Sequence, residues 1–529
     1  MRRWSICWLF MESDYAPKRS YNPVPLCQIG WCQLRPISVD LLEQKLSAER
    51  TARPEAPLNR LLYECLRAAI HDGSLPAATR LPPSRDLAAQ LAVSRNTVMH
   101  AYEQLMAEGY ARGLTGSGTY VAERIPELPV LPSSVRPQKG GAAARLSKRG
   151  RKLVSDALAQ TRQWGAFMPG VPDITQVPHR KLAQITARLE RSLSPATLSY
   201  AAGGGHPALH QSLAVYLRQA RSVVCEPEQI VLTEGVHQAI DLITRVLGDP
   251  GDTAWVEEPG YWGTRSVLAI NGIRLKPMPV DAEGMRATGT APRFAFVTPS
   301  HQYPLGAVMS MARRLDLLGH ATRDGTWVVE DDYDSEFRFA GQPIPSLQGL
   351  LPDAPVIYVG TFSKTLYPGL RIAYMVVPPS VAAAFRTAQS ELYRGGHMLM
   401  HAALAEFIDT GLYAAHIRKM RLVYAARRAF LIGLVAQWLG PGWIHEYDTG
   451  AGLHLVLSLP DGCDDVALAE TIGASGVLVR PLSRYYLGKK RSSGLLLGFA
   501  SVPQEQMLAP FEVVVRCIKG VVEGIAIQA

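Results

Sequence analysis

Past residue 160 the chain alternates between two hydrophobic patterns. Five short runs, QIVLT (229–233), TAWVEE (253–258), RFAFVTP (293–299), TWVVEDD (326–332) and VIYVGT (356–361), are almost continuously apolar at their centres. Longer stretches between them repeat apolar positions every three or four residues, as helices do. A run with no polar face has no side for water, so these predict parallel strands covered on both faces by helices. The alternation predicts an α/β doubly wound sheet over residues 160–525, without internal repeats. In open sheets of this kind ligands bind beyond the carboxyl ends of the strands.

A compact helical pattern occupies residues 57–122. In LPPSRDLAAQLAVSRNTVMHAYEQLMAEGY (81–110) a first helix places Leu87, Ala88 and Leu91 on one face. A turn at Ala92–Val93 follows, and Ser94 can cap a second helix with Val98, Tyr102, Leu105 and Met106 inward. Gly109 suits the stop of that helix. YARGLTGSGTYVAE (110–123) then reads as a hairpin with a glycine-rich tip. The first turn of the second helix exposes Ser94, Arg95, Asn96 and Thr97, residue types that hydrogen-bond base edges and phosphates in a major groove. Residues 123–155 join the two regions. They hold Pro126, Pro129, Pro132 and Pro137, then the basic GGAAARLSKRGRK, and read as a linker. Residues 1–40 have neither period. Their short apolar patch is broken at Glu12 and Asp14 with no small-residue cleavage site close behind, unlike a signal peptide. They are read as a disordered extension or as the product of an upstream start codon.

Composition narrows the class. With 47% hydrophobic and 19% charged residues the chain has the profile of a soluble globular protein with a sizeable core. No stretch of 18 apolar residues exists to cross a membrane. The seven cysteines form no CxxC pair and no Cys/His cluster with metal spacing, which predicts no metal site and a reduced, cytoplasmic setting. The net charge of +9 is uneven: residues 1–150 hold 20 Lys and Arg against 13 Asp and Glu, the other 379 hold 35 against 33. A basic front on a near-neutral body points to a polyanion partner for that front.

The strand ends carry the chemistry. Beyond the five runs come Thr233-Glu234-Gly235-Val236-His237, Glu257-Glu258-Pro259-Gly260-Tyr261, Thr298 to Tyr303, Glu330-Asp331-Asp332-Tyr333 and Thr361-Phe362-Ser363-Lys364. This set suits pyridoxal phosphate, which needs a lysine amine for a Schiff base, the internal aldimine, and a carboxylate facing its ring nitrogen. It also needs a phosphate cradle of hydroxyls, backbone N–H groups and a cation. Lys364 is the amine and Asp331 the carboxylate. Thr361 and Arg371 flank the lysine with phosphate-binding side chains, and Gly235, Val236 and His237 open a helix that offers N–H groups. Tyr261 stacks on the ring and Tyr333 reaches its phenolate oxygen. Asp332 and Asp334 are supporting residues, Glu257 and Glu258 solvated or capping, and His301 is open between a structural and a ligand-facing role. A P-loop is excluded because GTFSKT lacks the second glycine and its spacing. A Ser363-Lys364 hydrolase would leave the other four strand ends unexplained.

Two resemblances extend this reading. RLPPSRDLAAQLAVSRNTVMHAYEQLMAEGY with GSGTYV resembles the winged helix-turn-helix of the GntR family of bacterial regulators. The resemblance implies DNA contacts from Arg85, Ser94, Arg95, Thr97 and the wing residue Gly116. EDDYDSEF, TFSKTLYPGLR, EPGYWG and TPSHQYPLG resemble the aminotransferase-like domain of fold-type I pyridoxal phosphate enzymes, in the form found in MocR-type regulators. The order of the two domains is that of MocR. What the resemblance implies is a regulator that binds operator DNA and holds pyridoxal phosphate on Lys364. It would sense a small amine, an amino acid or the cofactor itself, as a head-to-tail homodimer. The alternative is an active aminotransferase with an accessory DNA-binding domain. Aminotransferases of this fold clamp the substrate carboxylate with an arginine near the C-terminus. The corresponding stretch here, SGLLLGFASV, has none, and Arg480, Arg484 and Arg491 are the candidates to replace it.

Overall fold

The structure, a computed structural model, describes residues 39–123, 146–155, 157, 163–200, 203–339, 344–489 and 491–528. The chain divides into two compact units, residues 1–143 and 144–529. The extension expected at 1–40 lies outside the described residues except for its last two. So do residues 124–145 of the expected linker.

The first unit contains α1 (Val39–Ala52), α2 (Leu58–His71), α3 (Ser84–Gln90), α4 (Arg95–Ala107) and the antiparallel hairpin β1 (Ala111–Leu114) and β2 (Gly118–Val121). Leu62, Leu66, Leu87, Val98, Ala101, Leu105 and Val121 close its core. Leu42 and Leu46, one turn apart on α1, pack into the same core. The core of the first unit thus takes in residues ahead of 57. Met106 differs from expectation: it is partly exposed and Ala101 is inward instead, because the buried stripe of α4 runs through positions 98, 101, 102 and 105. Ala92 takes the left-handed conformation (φ 50°) that the tight turn demands. Ser94 caps α4 by accepting from Thr97 N at 3.1 Å. Arg80 bridges to Tyr120, and Leu81 N donates to Thr119 O at 2.8 Å, fastening the hairpin to the strand-like entry of α3.

The second unit opens with α5 (Lys148–Ser155), which turns the end of the expected linker into a helix; Arg149 donates to the carbonyl of Ile270 at 3.1 Å. Its centre is an eight-stranded sheet of β3 (Ile230–Thr233), β4 (Thr253–Glu258), β5 (Arg274–Asp281), β6 (Gly284–Met285), β7 (Phe294–Val297), β8 (Trp327–Asp332), β9 (Val356–Thr361) and β10 (Ala373–Val376). The order is β3-β10-β9-β8-β7-β4-β5-β6. All strands run one way except β10 and the short edge strand β6. The five apolar runs are β3, β4, β7, β8 and β9. Alternate residues feed two cores, as a sheet buried on both faces requires: Leu232, Tyr358 and Tyr374 face one, Val231, Val359 and Met375 the other.

The helix Leu412–Trp438 and the antiparallel sheet β11 (His454–Ser458), β12 (Arg480–Pro481) and β13 (Gly494–Gly498) complete the unit. Arg427 and Tyr424 of that helix hold the entry segment. Arg427 pairs with Asp173 at 2.8 Å, and Tyr424 accepts from Asp173 N at 2.8 Å, both in buried surroundings. Phe167 bridges to Gly498 of β13.

Candidate functional site

Strand direction decides the site. Because β3, β4, β7, β8 and β9 run the same way, their carboxyl ends open on one edge of the sheet, around a cavity of about 310 Å³. Lys364 lies in the short connection between β9 and the returning β10. The buried side chains of Phe362, Leu366 and Leu370 pin this loop, so the lysine projects from a fixed base. Its Nζ donates to the carbonyl of Gly170 at 2.8 Å. Burial lowers the Lys364 pKa, and the carboxylates of Asp334 and Asp331 offset part of that shift.

Asp331, near the end of β8, lines the same cavity. Burial pushes its pKa up to about 7, assisted by Asp332 and opposed by Lys364. Its Oδ1 is shut off from solvent and has no hydrogen-bond partner. A buried acceptor without a donor is costly, of the order of 1–3 kcal/mol, which points to a donor supplied by a ligand.

Across the cavity, Gly235 (φ 93°) precedes the helix Val236–Leu247. The first amides of this helix, at Val236 and His237, have no acceptor within it and carry the positive end of its dipole. Arg371 donates to Glu234 O at 2.7 Å. A Cβ on residue 235 would come within 2.8–3.0 Å of its guanidinium. Thr361 Oγ1 accepts from Ser363 N at 3.1 Å, tying the hydroxyl to the lysine loop. These groups form a cradle for an anion.

Aromatic rings frame the cavity. Tyr261 donates to or accepts from His237 Nε2 at 3.0 Å, and its ring meets Tyr303 edge-on with centroids 5.8 Å apart. Tyr333 Oη lies 2.9 Å from His301 Nδ1, which also lies 3.1 Å from Asp334 Oδ1. His301 thus sits behind Tyr333 as a buried structural partner. Asp332 is likewise structural, receiving Arg221 at 2.6 Å and the Tyr358 hydroxyl at 2.5 Å.

Glu257 differs from expectation. It is buried and accepts from Thr298 N at 3.1 Å and Thr298 Oγ1 at 2.5 Å, while burial pushes its pKa up to about 7. Its polar neighbours in sequence suggested solvent, but the end of β4 lies under the 298–303 loop. Glu258 does cap, accepting from Leu487 N at 3.0 Å and Gly488 N at 2.6 Å. Of the three arginine candidates only Arg480 lines the Lys364 cavity. Tyr303, Tyr485 and Gly170 also line it and were not singled out from sequence. The Pro-Gly pair at 169–170 is the one local signal that could have marked Gly170.

In the first unit Arg85, Ser94, Arg95 and Asn96 are exposed and Thr97 is half-buried. The hydroxyls of Ser94 and Thr97 lie 2.8 Å apart and are engaged with each other at the cap. Arg95 keeps its guanidinium outward, with one long contact of 3.4 Å to Ser84 Oγ. Gly116 stands at the wing tip (φ 77°) with open space around it. Arg95→Ala is expected to relax base preference by about 1–3 kcal/mol. Arg85→Ala, if Arg85 touches phosphate alone, should weaken all sequences alike and flatten the salt dependence. Binding of a selected operator and of scrambled DNA at several salt concentrations checks both. Wild-type behaviour of both variants would move the DNA contact off α4.

Residues 173–509 match the family model described as aminotransferase class I and II, and residues 58–121 match that of bacterial regulatory proteins, gntR family. The chain is 41% identical to the probable rhizopine catabolism regulatory protein MocR of Rhizobium meliloti, over 86% of this chain and 92% of that protein. It is 32% identical to the pyridoxine biosynthesis regulator PdxR of Corynebacterium glutamicum, over 84% and 92%. Among solved structures it is similar to the α-aminoadipate aminotransferase LysN of Thermus thermophilus, in complex with N-(5'-phosphopyridoxyl)-L-leucine. That match has a TM-score of 0.62 and 26% identity, covering 71% of this chain and 96% of that one. An aminotransferase-like α/β unit behind a GntR winged helix, in a chain alike over most of its length to regulators so built, makes this protein a member of the MocR-type subfamily of GntR transcriptional regulators.

Proposed function

We propose that this regulator binds pyridoxal phosphate on Lys364 and reports a small amine, an amino acid or the cofactor itself to operator DNA, as a head-to-tail homodimer in the cytoplasm. The observation that carries the proposal is the pairing, in one cavity, of the Lys364 amine with an Asp331 oxygen that has no donor. A protonated ring nitrogen is the donor such an oxygen requires. The cradle of Gly235, Val236, His237, Thr361 and Arg371 would take the phosphate, Tyr261 the ring face, and Tyr333 the ring oxygen.

When bound, pyridoxal phosphate supplies an aldehyde that condenses with amines and a ring that draws electrons from the adjacent carbon. The chain's own part is to hold Lys364 in a buried pocket that favours the neutral, nucleophilic amine, and to keep Asp331 where ionisation is rewarded only by a cation. The pH dependence follows with a definite sign. Because the Lys364 pKa lies below its ordinary value of 10.5, the rate of borohydride-trappable attachment should level off at a pH below the ordinary lysine range. Stopped-flow absorbance across pH checks this. A midpoint at the ordinary lysine value would show that the amine is solvated.

Arg480 favours a second reading, an active aminotransferase, since it brings a guanidinium to the cavity where a substrate carboxylate would lie. The two readings part in one experiment. Operator selected from a random DNA library is titrated with cofactor-free, cofactor-loaded and Lys364→Ala protein. A sensor gives affinities that differ by about 5–150-fold between loaded and unloaded protein, the usual range of allosteric coupling. Equal affinities in all three, with sustained turnover on an amino donor and a keto acid, would put the enzyme first.

A further inference from the structure

The large unit has a second cavity of about 380 Å³, similar in size to the one around Lys364. It lies between α5 and the helix Trp262–Ile270, and Arg484, Tyr486, Leu487 and Arg491 close it. Its floor is apolar, from Trp262, Ile270 and Leu275, and its rim carries the guanidinium groups of Arg149, Arg265, Arg484 and Arg491. Among the described residues no Asp or Glu lines it, and Lys152 adds a further cation.

The partners of these guanidiniums set the cavity apart from an ordinary basic surface. Arg265 is only 7% exposed and donates to the carbonyls of Tyr485 at 2.9 Å and Arg484 at 3.1 Å. Arg149 donates to the carbonyl of Ile270 at 3.1 Å, and Arg491 to that of Gly488 at 3.0 Å. Each of these acceptors is neutral. Among the described residues Arg484 alone of the four arginines forms an ion pair with a carboxylate, that of Glu470 at 3.4 Å on the exposed side. The nearby Glu258, whose Oε1 accepts from the amides of Leu487 and Gly488, offsets part of the cost of burying Arg265 and leaves the other three guanidiniums uncompensated by it. Like charges gathered at one hollow repel each other. An anion in the cavity relieves that repulsion, and bidentate geometry makes guanidinium the natural grip for carboxylate or phosphate. The apolar floor, with the indole of Trp262 in it, adds a preference for a flat hydrocarbon body.

We infer that this cavity binds a small organic anion, a carboxylate or phosphate ester carried on an aromatic body, at a site separate from the Lys364 cavity. Trp262 lines both cavities, so the two ligands would share one wall. The ligand would also clasp α5, the helix at which the chain enters the large unit, to the body of that unit.

Calorimetric titration of the full-length protein saturated with pyridoxal phosphate, so that the Lys364 cavity is filled, with phenyl phosphate, benzoate and inorganic phosphate tests this. Wild-type protein is compared with the double variant Arg149→Ala/Arg491→Ala, whose side chains are exposed, and with Arg371→Ala at the other cavity. Circular dichroism checks that each variant is folded. The expected result is one equivalent of phenyl phosphate or benzoate per chain, weakened at least about tenfold in the double variant, as loss of charge-assisted hydrogen bonds predicts. Arg371→Ala should leave that binding unchanged. Whichever organic anion binds more tightly identifies the head group. The inference is overturned by absence of saturation at millimolar concentrations, by binding of inorganic phosphate as tight as that of phenyl phosphate, by a double variant that binds as wild type, or by a loss that follows Arg371→Ala instead.

Discussion

Lys364→Ala is expected to abolish borohydride-stable attachment of pyridoxal phosphate while leaving reversible binding through the cradle. The loop that carries the lysine is anchored by Phe362, Leu366 and Leu370, none of which the substitution touches. The fold should therefore survive, and the change should be one of chemistry. Removing the side chain also removes a positive charge that lowers the pKa of Asp331. Asp331 should then be protonated over a wider pH range and offer less to a ring nitrogen, so reversible affinity should fall as well. Peptide mapping after reduction gives the answer: label on any other lysine would overturn the assignment of Lys364, whatever the variant does to DNA binding.

Gly235→Ala should produce the largest loss of affinity without removing a functional side chain. Gly235 has φ 93° and ψ 167°, a region that only glycine occupies freely, and leaving it costs of the order of 1–3 kcal/mol. The new Cβ would also stand 2.8–3.0 Å from the Arg371 guanidinium and push it off the Glu234 carbonyl. Backbone and cation, both part of the cradle, move together. Cofactor affinity is expected to drop about ten- to hundredfold, from the conversion of 1.4 kcal/mol per decade. Gly251→Ala is the control, because Gly251 has φ 104° and open space where a Cβ would go. It should lower the melting temperature and spare the cofactor. If the two alanine variants hold cofactor equally well, the cradle is not where the phosphate sits.

The sequence pattern located the five strands that build the site edge, because a strand buried on both faces leaves an unbroken apolar run. The same property hid the direction of β10. Ala373–Val376 is apolar whichever way it runs, and only the short 362–372 connection, too brief for a parallel crossover, betrays an antiparallel return. Arg480 escaped assignment for a related reason. It belongs to a two-residue strand that borrows its position from β13, so no local period marks it. Glu257 was misjudged because two adjacent glutamates before a proline read as surface, whereas the partners that satisfy the first of them, Thr298 and Gln302, come from a loop some forty residues on. The α1 helix has large apolar residues only in its first half, Val39, Leu41, Leu42 and Leu46, a signal too short to read until the core that Leu42 and Leu46 complete is seen.

The bond between Lys364 Nζ and the Gly170 carbonyl sets up a competition. A free amine has two N–H donors and an ammonium three, whereas an imine nitrogen keeps at most one. Gly170 lies on the entry segment that Arg427 and Tyr424 grip through Asp173, three residues further on. Capture of an aldehyde by the lysine would therefore withdraw donors from this segment, and release of the aldehyde would return them. On the proposed function, the hold of the lysine on the first stretch of the large unit would thus weaken whenever the lysine is engaged.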